Sequence, residues 1–293
     1  METPLVSILT TLFNREKFIQ YCIESVLNST FQNLELIIVD DGSTDSSLEI
    51  AYGYAKKDNR IKVFQNKTNL GDYPNRNKAA SYANGKYIKY LDADDLLYPH
   101  SIELMASAME KFPEAALGIS EFVNEDFDPY PFMVSSHETY IREFLKQGIL
   151  GVGPSATIIR REAFEKSGCF SGKRYVGDTE LWLKLAASYP IVKMQSGLIF
   201  WRRHAGQEFD LGHTTNSYLV MNYQMNIKAL SNNNCPLTLN EKELAIRKLN
   251  YRQGRNIINL ALKKRKPLKA LQVIKESGYT FSNLIKSLLP FKI

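Results

Sequence analysis

Three aspartates, Asp92, Asp94 and Asp95, lie within four consecutive positions of the stretch YIKYLDADDLLYP, which spans residues 87–99. Carboxylates this close repel one another, so a chain that keeps them either exposes them to water or uses them to hold a positive charge. Hard divalent cations such as Mg²⁺ and Mn²⁺ prefer oxygen ligands of this kind. The spacing therefore predicts a metal site, and the solvated end of an acidic strand is the alternative.

The elements that must position these acids alternate between strands and helices. Apolar runs occur in LVSILTTLFN, LELIIVDDG, IKVFQN and KYIKYLDADD, and helical spacing occurs in EKFIQYCIESVLNS and PNRNKAASYAN. This alternation predicts a parallel α/β sheet with right-handed crossovers. Ligands of such sheets bind beyond the carboxyl ends of the strands. The polar residues predicted at those ends are Thr10, Asn14, Asp40, Asp41 and the three aspartates. For Asp40 and Asp41, a tight turn with Gly42 is the alternative.

The composition is that of a globular chain with unevenly distributed charge. Of the 293 residues, 44% are hydrophobic, and no stretch approaches the roughly 20 apolar residues of a membrane span. Residues 241–293 hold 13 of the 37 Lys and Arg but three of the 31 Asp and Glu, so this segment accounts for the net charge of +6. The three cysteines match neither a zinc spacing nor a disulfide framework. With no signal pattern at the start, these features predict free thiols and a cytoplasmic location.

Several motifs occur in an order that resembles the nucleotide-sugar glycosyltransferases of family 2, which have the GT-A fold. The motifs are VSILTTLFNREKFIQYCIESVLNSTFQNLELIIVDDGSTDSS, NLGDYPNRNKAA, ANGKYIKYLDADD and GDTELWLKL, and the similarity covers about residues 4–205. Together they are far more specific than an acidic triplet alone. The resemblance implies a GT-A catalytic domain over residues 1–214, with a Rossmann-like α/β fold and a mixed sheet flanked by helices. Residues 215–293 then form a basic helical extension.

The resemblance also implies which residues bind the donor. Asp95 is expected to coordinate Mn²⁺ or Mg²⁺, while Asp94 contacts the ribose or shares the metal, and Asp92 can share either task. His204, in the segment WRRH, is a further expected metal ligand, and Arg202, Arg203 and His204 are expected to close over the diphosphate. A charged loop without a ligand is the alternative for that segment, and a surface helical arginine is the alternative for Arg76. The expected nucleotide-binding residues are Thr10, Asn14, Asp41, Arg76 and Asp94.

Inverting sugar transfer needs a general base that removes the proton of the acceptor hydroxyl. In GDTELWLKL, Asp178 matches the second residue of the family's Glu-Asp pair, and Gly177 stands in place of the first acid. Glu180 is the local alternative. The apolar residues that follow predict a buried helix, which favours Asp178 at the start of that helix as the base.

The sequence thus predicts an inverting, metal-dependent hexosyl transferase. It would move a sugar from a nucleoside-diphosphate sugar to a hydroxyl of a glycan or lipid-linked acceptor in surface-polysaccharide biosynthesis. A sugar-phosphate nucleotidyltransferase is one alternative, although LTTLFNRE lacks the glycines of its triphosphate loop. A nucleotide-sugar binding module without turnover is the other, and the missing acid at Gly177 supports it.

The basic C-terminal segment has two interpretations. In one, KKRKPLK contacts anionic lipid at the inner face of the membrane, where each basic residue near the surface contributes about 1 kcal/mol. The alternative is a helical cap that packs on the catalytic domain and exposes a solvated basic face. Nucleic acid is not an expected partner, since no recognition motif accompanies the charge.

Overall fold

The structure is a computed structural model that describes residues 3–120, 128–204 and 216–291. The chain divides into two compact units. The first consists of Met1–Ser135 and Gly151–Arg203, and the second of Ser136–Leu150 and His204–Ile293. The domain boundary expected at residues 214 and 215 lies outside the described residues, so that boundary stays a prediction.

Within the described ranges, the first unit contains a mixed eight-stranded sheet and a separate strand pair. The strands are β1 Val6–Leu12, β2 Leu34–Asp40, β3 Ile61–Gln65, β4 Tyr87–Tyr90, β5 Leu96–Leu97, β6 Leu117–Ser120, β7 Phe132–Val134, β8 Thr157–Arg160, β9 Ile191–Met194 and β10 Ile199–Phe200. The strand order of the sheet is β3-β2-β1-β4-β8-β6-β9-β7, in which β1 to β4 are parallel neighbours. The short strands β5 and β10 pair antiparallel with each other.

The expected mixed α/β sheet flanked by helices is confirmed. The run of parallel strands stops at β4, because β8 pairs antiparallel with both β4 and β6. The helices of the first unit are α1 Ile19–Leu27, α2 Ser47–Ala55, α3 Asp72–Ala80, α4 Ser101–Lys111, α6 Arg161–Lys166 and α7 Gly177–Ser188, and a 3₁₀ turn covers Pro154–Ala156.

The centre of the sheet explains where the polar residues gather. Nearly every residue of β1 and every residue of β2 is buried, as expected for central parallel strands covered on both faces. Helix α1 buries Ile19, Cys22, Ile23 and Val26 in the same core as Val6 and Ile8 of β1. The chain proceeds from β1 to β2 and β3 on one side and then returns to β4 on the other side. The carboxyl ends of β1, β2 and β4 therefore surround a topological switch point, which is where α/β sheets bind ligands.

The second unit is helical. Thr238 and Glu241 form a capping box that starts its longest helix, and the helix continues into a π-helical turn at Asn259–Lys263. A salt bridge of 2.9 Å between His137 and Glu241 joins two of the helices. No helix in the described ranges is long and apolar enough to span a membrane. The helices are α5 Ser136–Leu145, α8 Ser217–Ser231, α9 Leu239–Ile258, α10 Pro267–Ser277 and α11 Phe281–Lys286.

Candidate active site

The three aspartates that follow β4 form one compact cluster. One carboxylate oxygen from each of Asp92, Asp94 and Asp95 lies within 4.8 Å of the others. Asp95 is 1% exposed and Asp94 is 8% exposed, so the solvated strand end that was the alternative does not describe these two residues. The cluster lies at the switch point of the sheet because β4 ends at Tyr90 and the chain turns there.

The positive groups around this cluster only partly offset its charge. Arg15 Nε lies 3.0 Å from Asp94 Oδ2, and Arg76 Nη2 lies 2.8 Å from Asp92 Oδ1. Burial, with a further contribution from the Asp92 carboxylate, raises the pKa of Asp95 to about 7. Three clustered carboxylates, of which Asp95 is buried and disfavoured in its ionised form, fit a hard divalent cation that would supply positive charge.

A buried lysine beneath the cluster was not singled out as a functional residue by the sequence analysis. Lys89 is fully buried, and its ammonium group donates hydrogen bonds to the carbonyl oxygens of Tyr90, at 2.8 Å, and Ser155. Burial lowers the pKa of Lys89 to about 7. Ser155 also accepts a hydrogen bond from the backbone N–H of Asp92 through its hydroxyl, at 3.1 Å. The signal in the sequence was a single lysine inside the otherwise apolar run YIKYL.

The loops after β1 and β2 are hydrogen-bonded to each other. Asn14 adopts a left-handed backbone conformation, with φ of 51°, and its side-chain oxygen accepts a hydrogen bond of 2.8 Å from the Thr44 N–H. The Asn14 N–H donates to the Ser43 hydroxyl at 2.9 Å. Asp40 accepts hydrogen bonds of 3.1 Å from the N–H groups of Gly42 and Ser43. Asp40 therefore has the turn role that was its alternative interpretation, and Gly42 has the positive φ of 85° that the turn requires.

Asp41 holds the loop that leads into α3. Its carboxylate accepts hydrogen bonds from the N–H groups of Leu70, at 2.8 Å, and Gly71, at 2.9 Å, and from the Asn66 side chain at 2.8 Å. Asn14 and Asp41 thus both lie at the strand ends. Thr10, in contrast, is fully buried beside Cys22. The structure does not bring the Thr10 hydroxyl to the surface of the site, and its contact with a nucleotide stays a prediction.

Arg76 is not a surface arginine. It is 7% exposed, its Nε lies 2.7 Å from Asp72 and its Nη2 lies 2.8 Å from Asp92. Burial alone would lower the pKa of Arg76, but the carboxylates of Asp72 and Asp92 hold it above its usual value. Its guanidinium lies 5.7 Å from the centre of the Tyr90 ring. Among the described residues, Nη1 of Arg76 has no hydrogen-bond partner, so one buried donor remains for a ligand.

Asp178 lies in the first turn of α7. Burial raises its pKa to about 6, while a hydrogen bond from the Thr179 N–H, the charge of Arg76 and the Tyr73 hydroxyl lower it. The alternative base, Glu180, is bound to Lys173 at 2.8 Å and to the Ser171 hydroxyl. In the part of the chain that the structure describes, Glu180 therefore has a lysine partner and Asp178 has none.

Trp182 belongs to the core of the first unit. It is fully buried, and its indole N–H donates a hydrogen bond of 2.9 Å to the carbonyl oxygen of Val152. This geometry agrees with the buried helix predicted after Asp178 and leaves no exposed face of the indole for stacking on a sugar.

Two arginines of the WRRH segment have different surroundings. The Arg202 N–H donates to Asp95 at 3.1 Å, and its Nε donates to the carbonyl oxygen of Asp94 at 3.0 Å. The Arg202 guanidinium also lies 5.3 Å from the centre of the Phe18 ring, so it fixes the aspartate loop from one side. Arg203 is exposed and packs on Trp201 at 4.7 Å. His204 is the first residue of the second segment of the second unit. Its binding to the metal or the diphosphate stays a prediction.

Comparisons with known proteins agree on one family. Residues 7–168 match the description "Glycosyl transferase family 2". The chain is 28% identical over 227 residues to the glycosyltransferase GlyG of Streptococcus pneumoniae, which covers 71% of this chain and 75% of that protein. It is 47% identical over 105 residues to the putative glycosyltransferase EpsH of Bacillus subtilis, covering 36% of this chain and 30% of EpsH. The chain thus spans three quarters of one relative and about a third of the other.

Solved structures with the same fold include two that hold a nucleotide sugar. The structure of Staphylococcus aureus TarS 1–349 in complex with UDP-GlcNAc has a TM-score of 0.72 at 18% identity, covering 96% of this chain and 88% of that one. The mannosyltransferase PcManGT from Pyrobaculum calidifontis, in complex with GDP-Man and Mn²⁺, has a TM-score of 0.60 at 14% identity, covering 98% of this chain and 88% of that one. At these identities the similarity establishes the fold.

Proposed function

The chain belongs to glycosyltransferase family 2 and has the GT-A fold, and on that basis we propose that it is an inverting enzyme that transfers a sugar from a nucleoside-diphosphate sugar to a hydroxyl acceptor. The observation that carries this proposal is one connected network. Arg76 binds Asp92 of the acid cluster, and its charge acts on the Asp178 carboxylate. The proposed site for the leaving diphosphate and the proposed base for the incoming hydroxyl are therefore parts of the same unit, and Arg76 acts on both.

The acid cluster is proposed to bind the donor through Mn²⁺ or Mg²⁺. Asp95 is the proposed direct ligand, Asp94 shares the cation or contacts the ribose, and His204 is a further proposed ligand. A divalent cation at this position supplies a Lewis acid that offsets the charge of the leaving diphosphate. Arg202 holds the loop that carries Asp94 and Asp95, so it supports both carboxylates while Arg203 faces the diphosphate. The proposed nucleotide contacts are Thr10, Asn14, Asp41, Arg76 and Asp94.

Asp178 is the proposed general base. A carboxylate whose pKa is about 6 is mostly ionised at neutral pH and is more basic than an ordinary aspartate, which favours proton transfer from the acceptor hydroxyl. Since the ionised form is the active one, the rate should rise as the pH increases through about 6. The acceptor proposed from the sequence is a glycan or a lipid-linked sugar of a surface polysaccharide.

A thermal-shift screen tests the donor proposal. UDP-, GDP- and dTDP-sugars are added with and without Mn²⁺, because a ligand that binds only the folded state raises its Tm. At about 100 times Kd, the expected rise is about 5 °C, for one nucleotide class and only with metal. The ligands bound in the two structural neighbours make UDP-GlcNAc and GDP-Man the first compounds to add.

The screen, combined with an assay for released nucleoside diphosphate, separates the alternative functions. A sugar-phosphate nucleotidyltransferase would be stabilised more by nucleoside triphosphates than by nucleotide sugars. A binding module without turnover would show the same shift but release no nucleoside diphosphate. The absence of any shift with all three nucleotide classes would contradict the proposed donor site.

Membrane contact is proposed for residues 262–271 of the second unit. Leu262, Leu268 and Leu271 are 73%, 81% and 52% exposed, and the basic run from Lys263 to Lys266 lies between the first two. The leucines would insert into the bilayer while the basic groups contact lipid phosphates. This combination favours an anionic bilayer over neutral lipid. Such binding would place the enzyme at the inner face of the membrane, where lipid-linked acceptors are accessible.

Vesicle binding measures this contact. Replacement of Lys263, Lys264, Arg265 and Lys266 by Gln is expected to weaken binding to vesicles that contain 30 mol% phosphatidylserine by about 100-fold or more. The double variant Lys56→Gln/Lys57→Gln, which alters exposed lysines of the first unit, serves as the matched control and should bind like the wild type. Equal binding by the fourfold variant, or equal binding of the wild type to neutral vesicles, would contradict the proposed contact.

A further inference from the structure

Gly177, which stands where the family's pattern has an acid, is packed against the ring of Tyr73. A Cβ atom added to Gly177 would lie 2.8 Å from Cε2, 2.9 Å from Cδ2 and 3.0 Å from Cζ of that ring. Real Cβ atoms do not approach aromatic carbons this closely, so the ring fills the space of a side chain at this position. With Tyr73 in this position, residue 177 has no room for a Cβ atom, so the glycine is more than the loss of an acid.

The hydroxyl group of the same tyrosine interacts with Asp178. It lies close enough to Asp178 to oppose the rise that burial causes in the pKa of that carboxyl, and the backbone N–H of Asp178 likewise opposes the rise that burial causes in the pKa of the phenol. That N–H is one of the first-turn donors of α7, which has no side-chain cap of its own. One phenol group thus lies beside both the first turn of the helix and the carboxylate that the helix presents.

Tyr73 is itself held rigidly in this place. It is 5% exposed, and its ring lies 5.1 Å from that of Phe170. Phe170 is bound at both backbone groups by the Asn77 side chain, at 2.8 Å and 3.0 Å. Tyr73 and Asn77 are on the same helix, α3, so that helix fixes both the tyrosine and the loop that precedes α7.

We propose that Tyr73 is the positioning residue for the base Asp178 and takes over the place left by the absent acid at Gly177. The ring occupies the volume above Gly177, and the hydroxyl orients the carboxylate toward the acceptor. This inference rests on the proposed function, because it assumes that Asp178 is the base. It deepens that function by assigning a second group to the acceptor side of the site.

The electrostatic surroundings of Asp178 make the proposal measurable. The groups that face it are Tyr73, Asp72 and Arg76 from α3 and the Thr179 N–H from α7. Arg76, the Thr179 N–H and the Tyr73 hydroxyl favour the ionised carboxylate, and Asp72 disfavours it. Removal of the hydroxyl alone, with the ring retained, therefore shifts the Asp178 titration to higher pH without emptying the space above Gly177.

The test is an NMR titration that requires no substrate. Protein labelled with ¹³C at the aspartate carboxyl carbons is titrated as wild type and as Tyr73→Phe, and the Asp178 signal is assigned by its absence in Asp178→Asn. The expected result is a rise of the Asp178 midpoint by about one pH unit in Tyr73→Phe. Tyr90→Phe is the matched control, because it removes a buried hydroxyl that donates to the Arg76 carbonyl oxygen and not to Asp178. An unchanged midpoint in Tyr73→Phe, or an equal rise in Tyr90→Phe, would overturn the proposal.

A second comparison tests the packing of the pair. Gly177→Ala is expected to lower the Tm by about 5 °C because its methyl group collides with the ring. When Gly177→Ala is added to Tyr73→Ser, it should lower the Tm by less than it does in the wild type, because the ring is no longer there. If Gly177→Ala melts like the wild type, the ring does not fill this space and the proposal fails.

The Asp178 titration and the transfer assay together show whether this inference or the proposed function has failed. Suppose that the enzyme transfers sugar and that Asp178→Asn abolishes this activity. An unchanged Asp178 titration in Tyr73→Phe then rejects only the role of Tyr73. A shifted titration in a protein that cleaves no nucleotide sugar supports the structural link between Tyr73 and Asp178 while it rejects the proposed reaction, and with it the positioning role.

Discussion

Asp178→Asn is expected to lower kcat for sugar transfer by about 10³-fold, within the range that general bases contribute. Asparagine keeps the size of the side chain and can still accept the hydrogen bond from the Thr179 N–H, but it cannot take up the acceptor's proton. The measurement is release of nucleoside diphosphate from the stabilising donor, followed over time. Donor binding, measured as the metal-dependent thermal shift, should remain, because the change removes a function needed after binding.

Glu180→Gln is the matched control for this change. Glu180 lies two residues further along the same helix and is occupied by Lys173 and Ser171, so loss of its charge should leave most of the activity. If Glu180→Gln abolished transfer while Asp178→Asn remained active, the assignment of the base would be wrong.

Asp95→Asn is expected to abolish the metal-dependent thermal shift and to lower the rate by about 10³-fold, because a neutral amide is a poor ligand for a hard cation and the leaving diphosphate loses its counter-charge. The protein without ligand should melt at or above the temperature of the wild type, since the change removes a buried carboxylate that Asp92 and Asp94 repel. That combination separates loss of the metal from loss of the fold.

Asp58→Asn provides the comparison for the acid cluster. Asp58 is an ion-paired aspartate of the same unit, 2.7 Å from Arg60 and outside the cluster, and its replacement should change neither the shift nor the rate. Unaltered metal dependence in Asp95→Asn would contradict the proposed coordination.

The sequence was most informative where local pattern and motif coincide. The alternation of buried strands and helices predicted β1 to β4 and the switch point, and the motif order predicted the GT-A fold, because these features depend on short segments of chain. The antiparallel insertion of β8 between β4 and β6 was not visible, since strand order depends on contacts between distant segments.

The least predictable features were the partners of individual polar groups. Arg76 was assigned to the nucleotide or to the surface, yet it is buried between Asp72 and Asp92. Asp41 has the expected location at the end of β2, but its carboxylate also secures the loop at Leu70 and Gly71. The spacing of residues in a sequence does not show which of several nearby donors a carboxylate accepts from.

Gly177 illustrates the same limit. As a departure from the family's Glu-Asp pair, it supported a module without turnover, because a missing acid suggests lost chemistry. In the structure the ring of Tyr73 fills the position, and the tyrosine comes from a helix about 100 residues earlier in the chain. Such an exchange of one group for another across the fold becomes apparent only when both residues are seen together.

The most direct test of the proposed function is the anomeric form of the first sugar released. The wild-type enzyme is incubated with Mg²⁺ and the stabilising donor, beginning with UDP-GlcNAc, in the absence of an acceptor so that water takes its place. ¹H NMR spectra are recorded before the free sugar mutarotates. An inverting transferase predicts nucleoside diphosphate and the β anomer from an α-linked donor. Release of the α anomer, cleavage to nucleoside monophosphate and sugar 1-phosphate, or no cleavage of any donor that stabilises the protein would contradict it.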